Sequence, residues 1–192
     1  MGSKGANMVR CDWAKGEIYE RYHDLEWGQP VHDDRKHFEF LILEGAQAGL
    51  SWITVLKKRE SYRKLFADFD PVKVARFSDE KLEKILLDPG IIRNRLKVFA
   101  ARHNARLFLQ IQKEFGSFDQ YIWSFTNHEV VDTPRKTVKD LPAKTAESDR
   151  LSADMTKRGF KFSGSVIMYS HMQACGLVND HLESCFIRQK RP

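Results

Sequence analysis

The sequence has no long hydrophobic run. No apolar stretch among its 192 residues approaches the roughly 18 residues that a membrane span needs. The N-terminus also lacks the apolar core of a signal peptide. We therefore expect a cytoplasmic protein that has no membrane partner.

Cysteines are few as well. The three thiols, Cys11, Cys175 and Cys185, are an odd number, which in a reducing compartment argues against a disulfide framework. The three cysteines therefore either bind a metal or are simply buried in the core. Cys175 lies between Ala174 and Gly176 at a predicted helix end, and this position favours a packed core thiol.

Period-two strand patterns, internal repeats and low-complexity tracts are also missing. Apolar residues follow helical spacing instead, so we predict an all-α protein. Helices are expected at about 35–48, 52–66, 93–113, 117–125, 146–158 and 165–175, with two more starting near 71 and 79 and the longest loop at 127–144. We expect residues 1–9 to be a disordered tail or a cloning remnant, and residues 10–192 to form a single helical domain.

The charge balance is basic, with a formal net charge of +6 and a pI near 9.2. This balance favours a polyanionic partner, although many soluble proteins share it. Three clusters at predicted helix ends or turns could follow a phosphate backbone or could be ordinary solvated surface. They are Lys57-Lys58-Arg59, Arg93-Arg95-Lys97 and Lys157-Arg158-Lys161.

Glu44 is an acidic residue inside the apolar run from Phe38 to Ile53. An unpaired buried charge costs several kcal/mol or more, so such a residue needs a reason. If the helix ends near Gly49 and Ser51 caps a new one at Trp52, the chain turns back and the indole approaches the carboxylate. An acid and an aromatic face would suit a nucleobase. Alternatively, Glu44 bonds to backbone amides and Trp52 fills the core.

Cysteine and histidine residues at the two ends of the chain suggest a metal site. His181 and Cys185 are spaced i, i+4, which places them on one turn of a helix. Cys11 and His23 flank a short aromatic segment near the N-terminus. The four would suit a closed tetrahedral zinc that joins the termini, although the spacing could also be chance.

Several motifs now coincide. They are 44–59 (EGAQAGLSWITVLKKR), 22–28 (YHDLEWG), 160–162 (FKF) and 172–181 (MQACGLVNDH). From about Arg10 to Cys185 the chain resembles the DNA-3-methyladenine glycosylase I family. The resemblance implies an all-helical helix-hairpin-helix fold with two lobes either side of a DNA-facing cleft. It also implies removal of 3-methyladenine from alkylated double-stranded DNA, which releases the free base and leaves an abasic site.

The resemblance also assigns roles to residues. Glu44 matches the family's base-recognising glutamate, our candidate catalytic residue, and Trp52 matches its stacking tryptophan. Tyr22 and Trp13 match pocket-lining aromatics, with Tyr19 and Trp27 beside them. The structural zinc ligands fall on Cys11, His23, His181 and Cys185. The hairpin that would meet a DNA phosphate through its backbone amides falls on Pro89, Gly90, Ile91, Ile92 and Arg93.

Two features depart from the wider superfamily. Asn94 stands where lyase-active relatives carry a nucleophilic lysine, so we expect a monofunctional enzyme. No aspartate lies a suitable distance beyond the hairpin to stabilise a sugar cation. A base methylated at N3 is already cationic and leaves as a neutral molecule, so flipping and holding it for attack by water could suffice.

Two other classes of function compete with this interpretation. One is a non-catalytic DNA-binding module in which Glu44 is structural. The other is a zinc hydrolase that uses Cys11, His23 and His181 and keeps an open fourth position. Nothing in the sequence demands a dimer, and we expect a monomer.

Overall fold

The computed structural model describes residues 8–189, which are predominantly helical. The helices are α1 (Glu17–Leu25), α2 (Asp34–Gln47), α3 (Trp52–Leu56), α4 (Arg59–Leu65), α5 (Pro71–Ala75), α6 (Asp79–Leu86), α7 (Arg95–Phe115), α8 (Phe118–Trp123), α9 (Ala146–Lys157), α10 (Ser165–Ala174) and α11 (Phe186–Gln189). None of the helices in this range is long and apolar enough to cross a membrane. The two-lobed arrangement and the single domain stay predictions.

The predicted N-terminal tail falls mostly on residues 1–7, which lie outside the described residues. Met8 and Val9 are exposed, at 54% and 49%. The carbonyl of Val9 nevertheless accepts a hydrogen bond from the amide of Phe186 at 2.8 Å. The chain is therefore already attached to its C-terminal segment one residue before the predicted domain boundary.

Side-chain caps confirm where several helices begin. The oxygen atoms of Asp33, Asp70, Ser78 and Ser117 each accept a backbone N–H of the first helical turn, as the sequence predicts. The long helix α7 starts two residues later than predicted because Asn94 is its N-cap and accepts the Lys97 amide at 3.1 Å.

Other boundaries differ from the prediction. The expected helix at 52–66 is interrupted after Leu56 and forms α3 and α4. The predicted loop at 127–144 contains strand β1 (Val131–Asp132), which pairs in parallel with β2 (Val178–Asn179). Two-residue strands are too short to produce an alternating pattern, so the sequence shows no sign of them.

Helix α2 lies at the centre of the structure. Ten consecutive residues, His37 through Ala46, are buried, and the helix contacts α3, α7, α8 and α10. A helix that is covered on every side is a rigid support. Its C-terminal end carries Glu44, so the acidic residue is positioned by the most enclosed element of the fold.

Candidate active site

The chain reverses between α2 and α3, as the sequence predicts. Helix α2 ends at Gln47, Gly49 adopts a left-handed φ of 78°, and α3 begins at Trp52. The ammonium group of Lys97 donates to the carbonyls of Ala46 and Ala48 at 2.9 and 2.6 Å. A cation at a helix C-terminus satisfies carbonyls that have no partner within the helix, so Lys97 holds the turn in place.

The start of α3 is capped differently from our prediction. Ser51 occupies the N-cap position, but its hydroxyl contacts the hydroxyl of Thr54 at 2.8 Å and caps no amide. The phenol oxygen of Tyr19 instead accepts the Ile53 amide at 3.0 Å. The tyrosine therefore ties α1 to the helix that carries Trp52.

The reversal encloses a cavity of about 290 Å³, large enough for a small planar ligand. Helices α1, α2, α3 and α10 and three loop segments supply its walls. The lining residues are Trp13, Tyr19, Tyr22, Trp27, Glu44, Gln47, Trp52, Leu141, Ser170 and Gln173. Glu44 and all five of the predicted pocket aromatics are among them.

Glu44 is the acidic group of this cavity. Its side chain is 4% exposed, and its Oε2 atom is buried with no hydrogen-bond partner within residues 8–189. Burial raises the pKa of the Glu44 carboxyl to about 8. The alternative in which backbone amides bind this carboxylate does not hold, because none of them reaches Oε2.

Aromatic rings form most of the wall. The rings of Tyr22 and Trp52 lie 5.6 Å apart, and Trp13 packs edge-on against Trp27 at 5.0 Å and against Tyr19 at 5.7 Å. The indole Nε1 of Trp52 is buried, and no acceptor for it occurs in the described part of the chain. Buried aromatic N–H groups normally find a partner, so this donor is open to a ligand.

Sequence reasoning missed four of the lining residues, namely Gln47, Leu141, Ser170 and Gln173. Gln47 lies one helical turn beyond Glu44, and the i, i+3 spacing of Ser170 and Gln173 on one face of α10 was the available signal. The amide nitrogen of Gln173 donates to the buried Asp180 carboxylate at 2.8 Å. This bond fixes the orientation of the Gln173 side chain.

The four predicted metal ligands come together next to the cavity. One ligand atom from each of Cys11, His23, His181 and Cys185 lies within 4.8 Å of the others, and all four side chains are buried. The Cys185 sulfur is 3.4 Å from His23 Nε2 and 3.5 Å from His181 Nδ1. In tetrahedral zinc sites such ligand atoms are about 3.3–3.8 Å apart, so the cluster could hold a metal.

The outer nitrogens of both imidazoles are occupied. His23 Nδ1 is 2.8 Å from a carboxylate oxygen of Asp24, and His181 Nε2 is 3.1 Å from the carbonyl oxygen of Trp27. Each ring therefore carries its proton on the outside and turns a lone pair toward the cluster, as metal-bound histidines do. Arg10 in turn donates to Asp24 at 2.7 Å. The donor set fits Zn²⁺.

The backbone around His181 and Cys185 differs from the prediction. Residues 181–185 form a turn rather than a helix, with an isolated bridge between Leu182 and Arg135. An i, i+4 spacing brings two side chains together on a helix, but a compact turn does the same. The predicted pairing therefore occurs without the predicted helix.

The hairpin between α6 and α7 uses most of its own amides. The Gly90 amide donates to the Asp88 carboxylate at 2.6 Å, and the Ile92 amide to the Tyr62 hydroxyl at 3.2 Å. The Ile91 amide contacts the Asp88 carbonyl at 3.4 Å, and Pro89 has no N–H. These amides therefore have partners within the protein, and our expectation that residues 89–93 meet a DNA phosphate stays a prediction.

Several cations of the basic clusters are engaged within the protein. Arg59 bonds to Glu26 and Glu39 at 2.7 Å, and Arg158 bonds to Glu114 and Asp154 at 2.6 Å. Lys97 caps α2. These side chains stabilise the fold and are not available to a phosphate backbone without breaking those contacts.

Known proteins share both the sequence and the pocket-forming fold. The family model for methyladenine glycosylases matches residues 13–189. The chain belongs to this family. It is an enzyme related at 52% identity to DNA-3-methyladenine glycosylase 1 of Escherichia coli (strain K12), over 179 residues that cover 93% of this chain and 96% of that protein. The DNA-3-methyladenine glycosylase of Haemophilus influenzae is 46% identical over 178 residues, 92% and 96% of the two chains.

Solved structures of methyladenine glycosylases share the fold. A crystal structure of a 3-methyladenine DNA glycosylase I superimposes with a TM-score of 0.90 at 49% identity, covering 93% of this chain and 98% of that one. The enzyme from Staphylococcus aureus, described for its recognition of 3-methyladenine, gives 0.92 at 35% identity, covering 97% and 100%. Membership in this family of enzymes excludes the alternative of a purely DNA-binding module.

Proposed function

We propose that this chain hydrolyses the glycosidic bond of 3-methyladenine in alkylated DNA, releases the free base and leaves an abasic site. The observation that carries the proposal is the Glu44 carboxyl, which is 4% exposed, lines an aromatic cavity and has an Oε2 atom with no partner inside the described residues. The relatives are named for this base, which supports the choice of substrate.

The cavity is suited to a flat cation. The rings of Trp52 and Tyr22 would stack on the flipped base, and a cation over an electron-rich ring gains about 2 kcal/mol when water is excluded. Glu44 would accept hydrogen bonds from the exocyclic amine. Before a base enters, burial favours the protonated acid, whereas a cationic base lowers the pKa of Glu44 and favours the carboxylate. Uncharged adenine does not offer this compensation, which explains the selectivity.

The reaction then needs little help. The bond between the sugar C1′ and the base N9 breaks, and its electron pair neutralises the positive charge of the ring. Water attacks C1′ and loses a proton, while the Glu44 carboxylate steadies the positive charge that develops on the sugar. Asn94 has no amine that could attack the sugar, and its amide caps α7, so we propose a monofunctional enzyme without lyase activity.

The DNA would be held at the start of α7. Arg93, Asn94, Arg95 and Leu96 are exposed. The Asn94 amide donates to the Ile92 carbonyl at 2.8 Å, whereas the amides of Arg95 and Leu96 lie in the first turn of a 21-residue helix, where the helix supplies no acceptor. We propose that a phosphate beside the lesion contacts these amides and the Arg93 side chain. This places the phosphate site at residues 93–96, at the C-terminal edge of the stretch that the sequence indicates.

We also propose that Cys11, His23, His181 and Cys185 hold one structural Zn²⁺ that joins the two ends of the chain. The four donors support a closed site, since Cys185 lies within 3.5 Å of both histidine ligand atoms. A closed site speaks against the zinc hydrolase alternative, which requires an open fourth position. The expected monomeric state and cytoplasmic location stay predictions.

The test is release of free base from methylated duplex DNA, measured by chromatography. We expect wild type to release 3-methyladenine, Glu44→Gln to be slower by about 100-fold or more, and Glu129→Gln, an exposed glutamate, to match wild type. A folded wild-type protein that releases no base, or a fully active Glu44→Gln variant, would refute the proposal. Unbroken DNA strands after the reaction would support the monofunctional assignment.

A further inference from the structure

A second cluster of cysteine and histidine side chains lies in the core between α2 and α10. His37 projects from α2, and His171 and Cys175 come from the end of α10. One ligand atom from each lies within 4.8 Å of the others, and all three residues are 0% exposed. We propose that these three residues form a second metal site, which takes a monovalent thiophilic cation such as Cu(I).

Unpartnered nitrogen atoms provide the first argument. The Nδ1 atoms of both His37 and His171 are buried, and neither finds a hydrogen-bond partner in the described range. An unsatisfied buried polar group costs about 1–3 kcal/mol, and this core carries two of them side by side. The two imidazole rings are stacked, with centroids 5.7 Å apart and planes 20° from parallel. A cation coordinated by His37 Nδ1 would satisfy that atom.

The environment of His37 sets the required tautomer. Its Nε2 lies 3.4 Å from the Asp119 carboxylate, which also accepts from His32 at 3.0 Å. The proton of His37 is therefore on Nε2, and Nδ1 carries a lone pair that points into the core. A carboxylate behind the outer nitrogen is the arrangement that orients histidine ligands in metal sites.

His171 and Cys175 supply the other two donors. They are spaced i, i+4, and the sulfur lies 3.6 Å from His171 Nε2. Burial and the nearby His37 lower the pKa of His171 to about 3, so this imidazole stays neutral and keeps a lone pair. Burial raises the pKa of the Cys175 thiol, so binding must displace its proton: the S–H bond breaks, an S–metal bond forms and one H⁺ is released.

The choice of cation follows from charge and ligand number. A thiolate and two neutral imidazoles carry a charge of −1, which a monovalent ion cancels. The cluster contains three donors from the described residues, fewer than the four that structural Zn²⁺ requires. Thiolate with imidazole in a three-coordinate set suits copper.

The experiment adds Cu(I) anaerobically to the purified full chain, in the presence of a competing Cu(I) chelator, and measures copper and zinc per chain. One arm uses overnight incubation, because a buried site fills only through local opening. The other arm refolds the protein with both metals present. Matched variants are His37→Leu and His171→Phe, which fill the core with apolar side chains, together with Cys175→Ala.

We expect one copper per wild-type chain with the zinc content unchanged, X-ray absorption showing two nitrogens and one sulfur, and at least a 10-fold loss of Cu(I) affinity in each variant. Absence of copper in both arms would overturn the proposal. So would copper that displaces zinc, copper that His37→Leu retains, or a crystal structure of the copper-treated protein with only a water molecule between the rings. None of these outcomes depends on glycosylase activity.

Discussion

Two buried polar sites lie next to each other in this protein: the cluster of Cys11, His23, His181 and Cys185, and the cavity that contains Glu44. They differ in whether their polar atoms have hydrogen-bond partners. At the terminal Cys/His cluster every imidazole nitrogen has a neighbour: Asp24 and the Trp27 carbonyl on the outside, and sulfur atoms on the inside. In the cavity, Glu44 Oε2 and Trp52 Nε1 are left without partners in residues 8–189. The first arrangement stabilises a fold, whereas the second leaves interactions for a ligand to complete.

The two sites share a wall. The carbonyl of Trp27 accepts the bond from His181, while the side chain of the same residue lines the cavity. The ring of Trp13 lies 5.3 Å from the His23 ring and also lines the cavity. The cluster, whose polar atoms all have neighbours, therefore fixes the positions of Trp13 and Trp27. This keeps the shape of the cavity, in which polar atoms are left for a ligand.

Removing a ligand of the cluster should have the largest effect. Cys185→Ser, or treatment with a strong chelator, takes the proposed Zn²⁺ away from its buried donors, and we expect a loss of several kcal/mol of stability, with zinc lost in parallel. Thermal unfolding followed by circular dichroism, together with zinc content, measures both. The matched cysteine variant, Cys175→Ala, should keep its zinc. A Cys185→Ser protein as stable as wild type would contradict the claim that the terminal Cys/His cluster stabilises the fold.

Replacing the unpaired Glu44 carboxyl by an amide should raise the stability of the folded protein near neutral pH rather than lower it. Because the pKa of Glu44 is about 8 in the folded state and ordinarily 4.5, the folded protein holds this proton more tightly than the unfolded chain. The stability that this proton contributes is fully present below pH 4.5 and is lost as the pH rises to about 8. At about 1.4 kcal/mol per unit, the stability difference between Glu44→Gln and wild type should grow by on the order of 4 kcal/mol in favour of the glutamine variant across that range.

Denaturant melts of wild type and Glu44→Gln at several pH values measure this difference. The exposed control Glu129→Gln should give a difference that stays constant with pH. If the curves of wild type and Glu44→Gln run parallel from pH 4.5 to 8, the carboxyl of Glu44 is not strained by burial, and the contrast between the two sites is lost.

Truncating the stacking ring should have an intermediate effect. Trp52→Ala removes a face on which a base can stack, worth about 1–3 kcal/mol, so affinity for free 3-methyladenine should fall between about 5-fold and 150-fold. Trp52→Phe keeps a ring and should lose less. Calorimetric titration with the free base gives the affinities. Equal affinity of Trp52→Ala and wild type for the free base would show that other residues of the cavity, and not Trp52, provide the contacts that bind it.

The smallest effect is expected at the hairpin, outside both sites. A Cβ on Gly90 would lie 2.5 Å from the Ser61 hydroxyl oxygen and 2.7 Å from its Cβ, so Gly90→Ala should displace the hairpin at a cost of about 1–3 kcal/mol. Affinity for duplex DNA should weaken, while binding of free 3-methyladenine should not change. Gly164→Ala, where a Cβ meets nothing within 4 Å, is the control. Weaker binding of the free base by Gly90→Ala would contradict the separation of hairpin and cavity.

Local signals explain which parts of the fold were predictable. Caps at Asp33, Asp70, Ser78 and Ser117 mark helix starts because their partners are only two or three residues away. The break at Gly49 is equally local, since glycine tolerates the positive φ that the turn requires. The β1–β2 pair and the turn at 181–185 depend on partners far along the chain, so no local sequence pattern predicts them.

By itself, then, the sequence determined the helical class, the reversal between Glu44 and Trp52 and the chemical types of the cysteine and histidine side chains that could hold a metal. Short-range backbone preferences and side-chain chemistry are properties of a few adjacent residues. Only the tertiary structure decided that Glu44 Oε2 stays unpaired within the described residues, that Arg59, Lys97 and Arg158 bond to groups of the protein itself, and that Gln173 lines the cavity. Burial and partner choice depend on which distant segments meet, and that is settled when the helices pack.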